Sequence, residues 1–328
     1  MSERASVEVI IPAYNEEKII EACLKSLLSQ SYENFVVTII DDASVDRTAA
    51  IVKSFAEKHP KRLRLRQWGK LGPGRARNRA AQESQAEILA FMDADCEAFP
   101  NWIEELVKAF EQSSFDSVGG PQLAHPKSNS FQQAIERFFR SMAWLISFYK
   151  RSRDSSEIFE TDHNPLCNVA YRKGVFLKLE GFREDLFPGE DYEFDWRLRR
   201  SGGKIAYHSL ARVYHHRPET LAQFDKVMFA YGRAQGKLFR ERGPHRLLHW
   251  VGLILPGLFI CTALILAIFK IWWALFSILI LGFSLLFFRP QRGPLFLQIF
   301  LAGFSWFKGF FYGFWTKSAP PPGSPKGG

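Results

Sequence analysis

Three short apolar runs within the first 95 residues each break off into polar or acidic side chains, and this repetition restricts the possible folds more than any other feature. "VEVIIPAY" (7–14) leads to Asn15 and Glu16, "FVVTII" (35–40) to Asp41 and Asp42, and "EILAFM" (87–92) to Asp93 and Asp95. Helical segments, "EKIIEACLKSLLSQ" and "VDRTAAIVKSFAEK", follow the first two runs. A further strand, "RLRLRQW", and a helix, "GRARNRAAQES", precede the third. Strands alternating with helices predict an α/β domain built on a mostly parallel, doubly wound sheet. Ligands of such sheets sit beyond the carboxyl ends of the strands, so the acidic clusters are expected along one edge. Residues i and i+2 of an extended segment face the same way, which lets Asp93 and Asp95 share a partner. An isolated Asp-x-Asp is most simply a solvated loop. Beside two other polar strand ends, it points to a divalent cation held against a phosphate-bearing substrate. No GxGxxG follows the first strand, which disfavours a dinucleotide site.

The net charge of +9 fits nucleic acid, an anionic membrane or phosphorylated substrates as partners. The basic run from Lys61 to Arg79 is open to the first reading, although part of it falls beside the expected diphosphate. Cys23, Cys96, Cys167 and Cys261 are scattered without a CxxC pair, which argues against a zinc or disulfide framework and fits a reducing compartment. The start "MSERASVEVI" carries no apolar signal region, so the first domain is expected to stay in the cytoplasm.

Near residue 245 the chain changes character. Residues 247–269 and 271–288 are apolar runs separated by Lys270, and a hydrocarbon core needs about 20 such residues. A third stretch, 295–315, holds Phe300, Phe304, Phe307, Phe311 and Phe314 at helical spacing and is expected to span or to lie in the interface, with spanning favoured. Arg240, Arg242 and Arg246 before the first run and Arg289 and Arg292 after the second place both flanks in the cytoplasm. The expected organisation is a cytoplasmic domain over 1–245, a membrane region over 246–316 and a disordered tail over 317–328, at an inner or plasma membrane. The basic, aromatic segment 131–153 fits either an anionic interface or a helix packed on the core.

"VIIPAYNEE", "IIDDASVDRT", "GPGRARNRA" and "FMDADC", in this order, resemble the nucleotide-sugar half of family 2 inverting glycosyltransferases with the GT-A fold, over about residues 7 to 235. The resemblance implies that Pro12, Tyr14, Glu16, Asp42, Arg77 and Asp93 border the nucleotide, expected to be that of a UDP-sugar. It implies that Asp95, with Asp93, binds Mg²⁺ or Mn²⁺ on the diphosphate, and that a His completes the metal set; His215 matches better than His216. Asp41 is open to a plain turn-capping role. A fifth motif, "FPGEDYEFDWRLRRSGGKI" (187–205), places Glu190 and Asp191 at the start of a helix. By resemblance, Asp191 of this Glu190–Asp191 pair is the general base that deprotonates an acceptor hydroxyl, although acidic residues also suit a helix N-terminus. "HNPLCNVAYRKGVF" (163–176) is similar to the acceptor side, with Asn168 lining the sugar cleft.

The chain departs from the processive synthases of that family, because "DWRLRRSG" stands where they carry Gln-x-x-Arg-Trp. Its length, its apolar C-terminal region and "FAYGRAQG" are similar to the succinoglycan-type glucosyltransferases. The expected function is transfer of a hexose to a hydroxyl of a lipid-linked or saccharide acceptor. Transfer to polyprenyl phosphate is the rival enzyme reading, and a membrane-tethered nucleotide- or nucleic-acid-binding protein the non-enzyme one.

Overall fold

The computed structural model describes residues 4–112, 114–141, 158–243, positions 250, 254, 257–258 and 261–264, and 293–316. These fall into two compact units, one holding the described residues up to 128 and from 158 to 217, the other 129–141 and 218–316.

The larger unit begins with β1 (Val7–Ala13), α1 (Ile20–Leu28), β2 (Phe35–Asp41), α2 (Thr48–Lys58), β3 (Leu63–Gln67), α3 (Pro73–Glu83) and β4 (Ile88–Phe91). It continues with β5 (Cys96–Ala98), α4 (Trp102–Glu111), β6 (Ser117–Gly119) and β7 (Gln122–Ala124). After α5 (Ser130–Ser141) of the other unit come β8 (Ile158–Glu160), β9 (Val169–Arg172), α6 (Lys173–Lys178), α7 (Glu190–Arg200), β10 (Ile205–His208) and β11 (Val213–His215). The main sheet runs β3-β2-β1-β4-β9-β6-β10-β8. Its first four strands are parallel, as the alternation predicts, and β9 then pairs antiparallel with both β4 and β6. Both faces are buried: Val9, Ile11, Ile39 and Ala90 join one apolar cluster, while their neighbours Ile10, Ile40, Leu89 and Phe91 join the other. That is why these strands read as continuous apolar runs instead of alternating ones. A three-stranded sheet, β5-β11-β7, stands apart and carries the residues that follow Asp95.

The smaller unit packs α5, α8 (Leu221–Arg242) and α9 (Gly293–Trp315) around Phe131, Ile135, Phe138, Phe224, Met228, Trp306 and Phe310. Among the described residues no helix is long and apolar enough to cross a membrane, so the span favoured over 295–315 is not found. In its place α9 lies along α8, and glycines spaced four apart set the approach. A Cβ on Gly232 or Gly236 would meet the carbonyl of Trp306 or Phe310 at 1.9 Å. One on Gly309 would meet that of Phe229 at 2.0 Å. Stripes of small residues let helix backbones touch in this way. Gly309→Ala should therefore destabilise the chain by about 1–3 kcal/mol, as over-packing does. Gly174→Ala in α6, where a Cβ meets nothing within 4 Å, is the control, and thermal unfolding of both variants is the measurement. The runs 247–269 and 271–288, apart from the isolated positions given above, lie outside the described residues, as do the tail 317–328 and the part of segment 131–153 beyond Ser141.

Candidate active site

β1, β2 and β4 end side by side, and their acidic clusters share one edge of the sheet as expected. Tyr14 is exposed just past β1, with Lys70 Nζ 4.5 Å above its ring. Pro12 and Glu16 are half-buried on either side of it. Burial, then the nearby carboxylates of Asp95 and Asp93, push Glu16 up to about 7. Such a shift has a stability consequence. Below about 4.5 Glu16 is protonated in folded and unfolded chains alike, whereas above 7 it is ionised in both and the fold carries the full repulsion. Glu16→Gln should then raise the melting temperature at pH 7.5 and much less at pH 4.5, measured in EDTA. An equal change at both pH values would exclude this origin.

Asp41 and Asp42 have local work. Asp41 accepts from the Ser44 amide (3.2 Å) and from Gln67 Nε2 (3.1 Å), so it caps the turn after β2. Asp42 accepts from the amides of Leu71 (2.6 Å) and Gly72 (3.1 Å) and is buried. Its carboxylate thus shapes the loop that opens α3.

Asp93 is joined to α7 through one buried guanidinium. Arg77, 3% exposed, donates to Asp93 Oδ1 at 2.6 Å and to Glu190 Oε1 at 3.1 Å. Burial raises Asp93 above the ordinary carboxylate range, against the pull of Arg77. Burial likewise pushes Glu190 up to about 7, with Arg77 opposing and Asp191 adding repulsion. Arg77, expected at the nucleotide, is therefore the tie between the strand-end carboxylates and the helix carrying Asp191.

Asp191 keeps a path to solvent, its side chain being 18% exposed. It accepts the Tyr192 amide at Oδ1 (2.7 Å) and the Leu166 amide at Oδ2 (3.1 Å), which fix the carboxylate at the first turn of α7. Asn168, expected to line an acceptor cleft, is instead fully enclosed. Its Oδ1 accepts from Trp102 Nε1 (2.8 Å), and its Nδ2 donates to the carbonyls of Pro121 (3.0 Å) and Ala211 (2.8 Å). A side chain so committed holds segments together and has nothing to offer a substrate.

The two histidines separate cleanly. His215 pairs in register with Cys96 on β5, and its Nε2 stands 3.4 Å from Asp95 Oδ2. Its Nδ1 is 2.9 Å from Gln122 Oε1, which also accepts from Cys167 Sγ at 3.3 Å. With Nδ1 donating to Gln122, Nε2 is left turned to Asp95, and a proton or a divalent cation can sit between the two ligand atoms. Outer partners that fix a tautomer this way are typical of metal-binding histidines. Burial is the largest influence on His215 and opposes its charge, but Asp95 and Cys167 together raise the imidazole. His216 faces elsewhere, with Nε2 2.8 Å from Glu97 Oε1 and its ring stacked on His125 at 4.4 Å. His125 accepts the Lys127 amide at Nδ1 (3.1 Å), so its Nε2 carries the proton that faces Glu97 at 3.3 Å. This second cluster is satisfied by hydrogen bonds without an ion.

Residues 8–179 match the family model described as glycosyl transferase family 2. The chain belongs to glycosyl transferase family 2. Glycosyltransferase AglE of Haloferax volcanii is 28% identical over 235 residues, covering 70% of this chain and 72% of that protein. The uncharacterized glycosyltransferase YibD of Escherichia coli (strain K12) is 33% identical over 116 residues, 35% of this chain and 33% of its own length. Mannosyltransferase PcManGT from Pyrobaculum calidifontis, solved in complex with GDP-Man and Mn²⁺, superposes with a TM-score of 0.70 at 20% identity. That match covers 95% of this chain and 88% of the mannosyltransferase, a likeness of fold. The chain is thus a GT-A-fold enzyme, a glycosyltransferase.

The segment around His163 held a signal that sequence reasoning passed over. Asp191 and Asp195 are one helical turn apart and so share a face of α7. His163, at the head of the segment 163–176, meets that face.

Proposed function

We propose that this enzyme moves a hexose, with inversion, from a UDP- or GDP-sugar to a hydroxyl of a lipid-linked or saccharide acceptor. The observation that carries the reading is the Arg77 bridge. It fixes the donor-side carboxylate Asp93 relative to Glu190, and so relative to its neighbour Asp191, the one of that pair with access to solvent. Asp191 takes the proton of the acceptor hydroxyl as the oxygen attacks the anomeric carbon, while Glu190 and Arg77 hold the start of α7 in place. Asp95, Asp93 and His215 would hold Mg²⁺ or Mn²⁺, whose charge, when bound, offsets that developing on the leaving diphosphate. The Mn²⁺ bound in PcManGT and the ligand atoms of Asp95 and His215 facing each other support this choice. Exposed Tyr14 offers a ring face to the base.

The membrane setting rests on the sequence. Residues 247–269 and 271–288 would anchor the enzyme, and their basic flanks would keep the catalytic unit on the cytoplasmic side of an inner or plasma membrane. A screen of UDP- and GDP-sugars for nucleotide release, with purified full chain and cell lipid extract, tests the reaction. Release with none of them, from a protein that still binds nucleotide, would favour a non-catalytic role.

A further inference from the structure

Behind Asp191 lies a chain of titratable groups that leads away from solvent. His163 is buried; its Nε2 is 3.8 Å from Asp191 Oδ2 and its Nδ1 2.7 Å from Asp195 Oδ2. Asp195 is fully buried and also accepts the Asn164 amide (3.1 Å) and the Tyr171 hydroxyl (2.8 Å). With Nδ1–H donating to Asp195, Nε2 of a neutral His163 is the basic atom turned to Asp191. Among the described residues, groups that face His163 from α7 include Asp191, Asp195 and the ring edge of Tyr192 at 5.5 Å. From β9, Tyr171 reaches it through Asp195, and the adjacent Asp162 is paired with Arg199 at 3.0 Å.

We propose that His163 is a positioning residue for the base, receiving the proton that Asp191 takes from the acceptor, with Asp195 stabilising the imidazolium. The inference rests on Asp191 being the base. The acceptor O–H bond breaks as an Asp191 O–H bond forms. That bond then breaks as Nε2–H forms on His163, once the 3.8 Å between Asp191 Oδ2 and Nε2 has shortened to hydrogen-bond length, and the proton returns to water through Asp191 after product leaves. No electrons are exchanged, and the charge of the Asp191–His163 pair changes by the one proton received. The gain is chemical. An imidazole is the stronger base of the two and so the better resting place for a hydroxyl proton. The order of exposure fits, since the Asp191 side chain is 18% exposed and that of His163 5%.

The test compares wild type, His163→Gln and Asp191→Asn as full chains. It measures nucleotide release from UDP-glucose and GDP-mannose with lipid extract between pH 5 and 9, and donor affinity by calorimetry. His163→Gln keeps a polar amide of similar reach in the pocket but cannot take a proton. Its kcat should fall about 10- to 100-fold, its donor affinity should stay within about twofold, and the acid limb of its pH profile should move. A loss equal at every pH, or no loss, would overturn the relay. If Asp191→Asn is inactive while His163→Gln behaves as wild type, the base stands and the relay falls; an active Asp191→Asn removes the base itself. A second readout needs no turnover. The ¹⁵N signals of His163 should follow a different titration curve in Asp191→Asn than in wild type, and an unmoved curve would show the two groups uncoupled and end the proposal.

Discussion

Asp191→Asn should bind the donor nucleotide as wild type does and transfer its sugar roughly 10²- to 10⁴-fold more slowly, the contribution usual for a general base. The amide is isosteric but keeps one oxygen, so it retains either the Leu166 or the Tyr192 amide as a donor and loses the other, and thermal unfolding of the variant shows whether the first turn of α7 is preserved. The distinction from a phosphate acceptor is chemical. A hydroxyl must lose its proton as it attacks, whereas the oxygen of polyprenyl phosphate is already anionic. Asp191→Asn should consequently be crippled with a lipid-linked saccharide and far less affected with bare polyprenyl phosphate. Turnover of the mutant on both acceptors is the measurement, and near-normal rates on the saccharide would refute the base.

Removing the divalent cation should cost as much or more. Lewis-acid stabilisation of a leaving diphosphate is worth several kcal/mol, so EDTA is expected to lower transfer by about 10³-fold or more, at roughly tenfold per 1.4 kcal/mol. Mn²⁺ or Mg²⁺ should restore it. Asp95→Asn should resist rescue while remaining folded, since the amide keeps the shape of the carboxylate beside His215 Nε2 at 3.4 Å and Cys96 Sγ at 3.7 Å. The histidines should divide as the geometry divides them. His215→Ala should raise the Mn²⁺ concentration needed for half-maximal rate, and His216→Ala, whose ring belongs to Glu97 and His125, should leave it nearly unchanged. The opposite ranking would move the metal to the other face of the small sheet.

Much of the scaffold was legible along the chain because its causes are local. Continuous apolar runs broken by amphipathic helices specify parallel strands, and the carboxylates at their ends follow from where such runs stop. Glu190 and Asp191 opening a helix is likewise a short-range pattern. The identity of each partner was decided only by the fold, since it depends on residues distant in sequence. Arg77 meets Glu190 across 113 positions, and nothing in "GPGRARNRA" tells a phosphate ligand from a buried tie. Asn168 sits in a segment that resembles an acceptor site, yet Trp102, Pro121 and Ala211 enclose it. His215 and His216 are chemically identical neighbours, and the register of β11 against β5 and β7 sends one to Asp95 and the other to Glu97. Periodicity determines which face of an element is buried. What stands opposite that face is set by pairing across the sheet, where a shift of one residue exchanges the two sides.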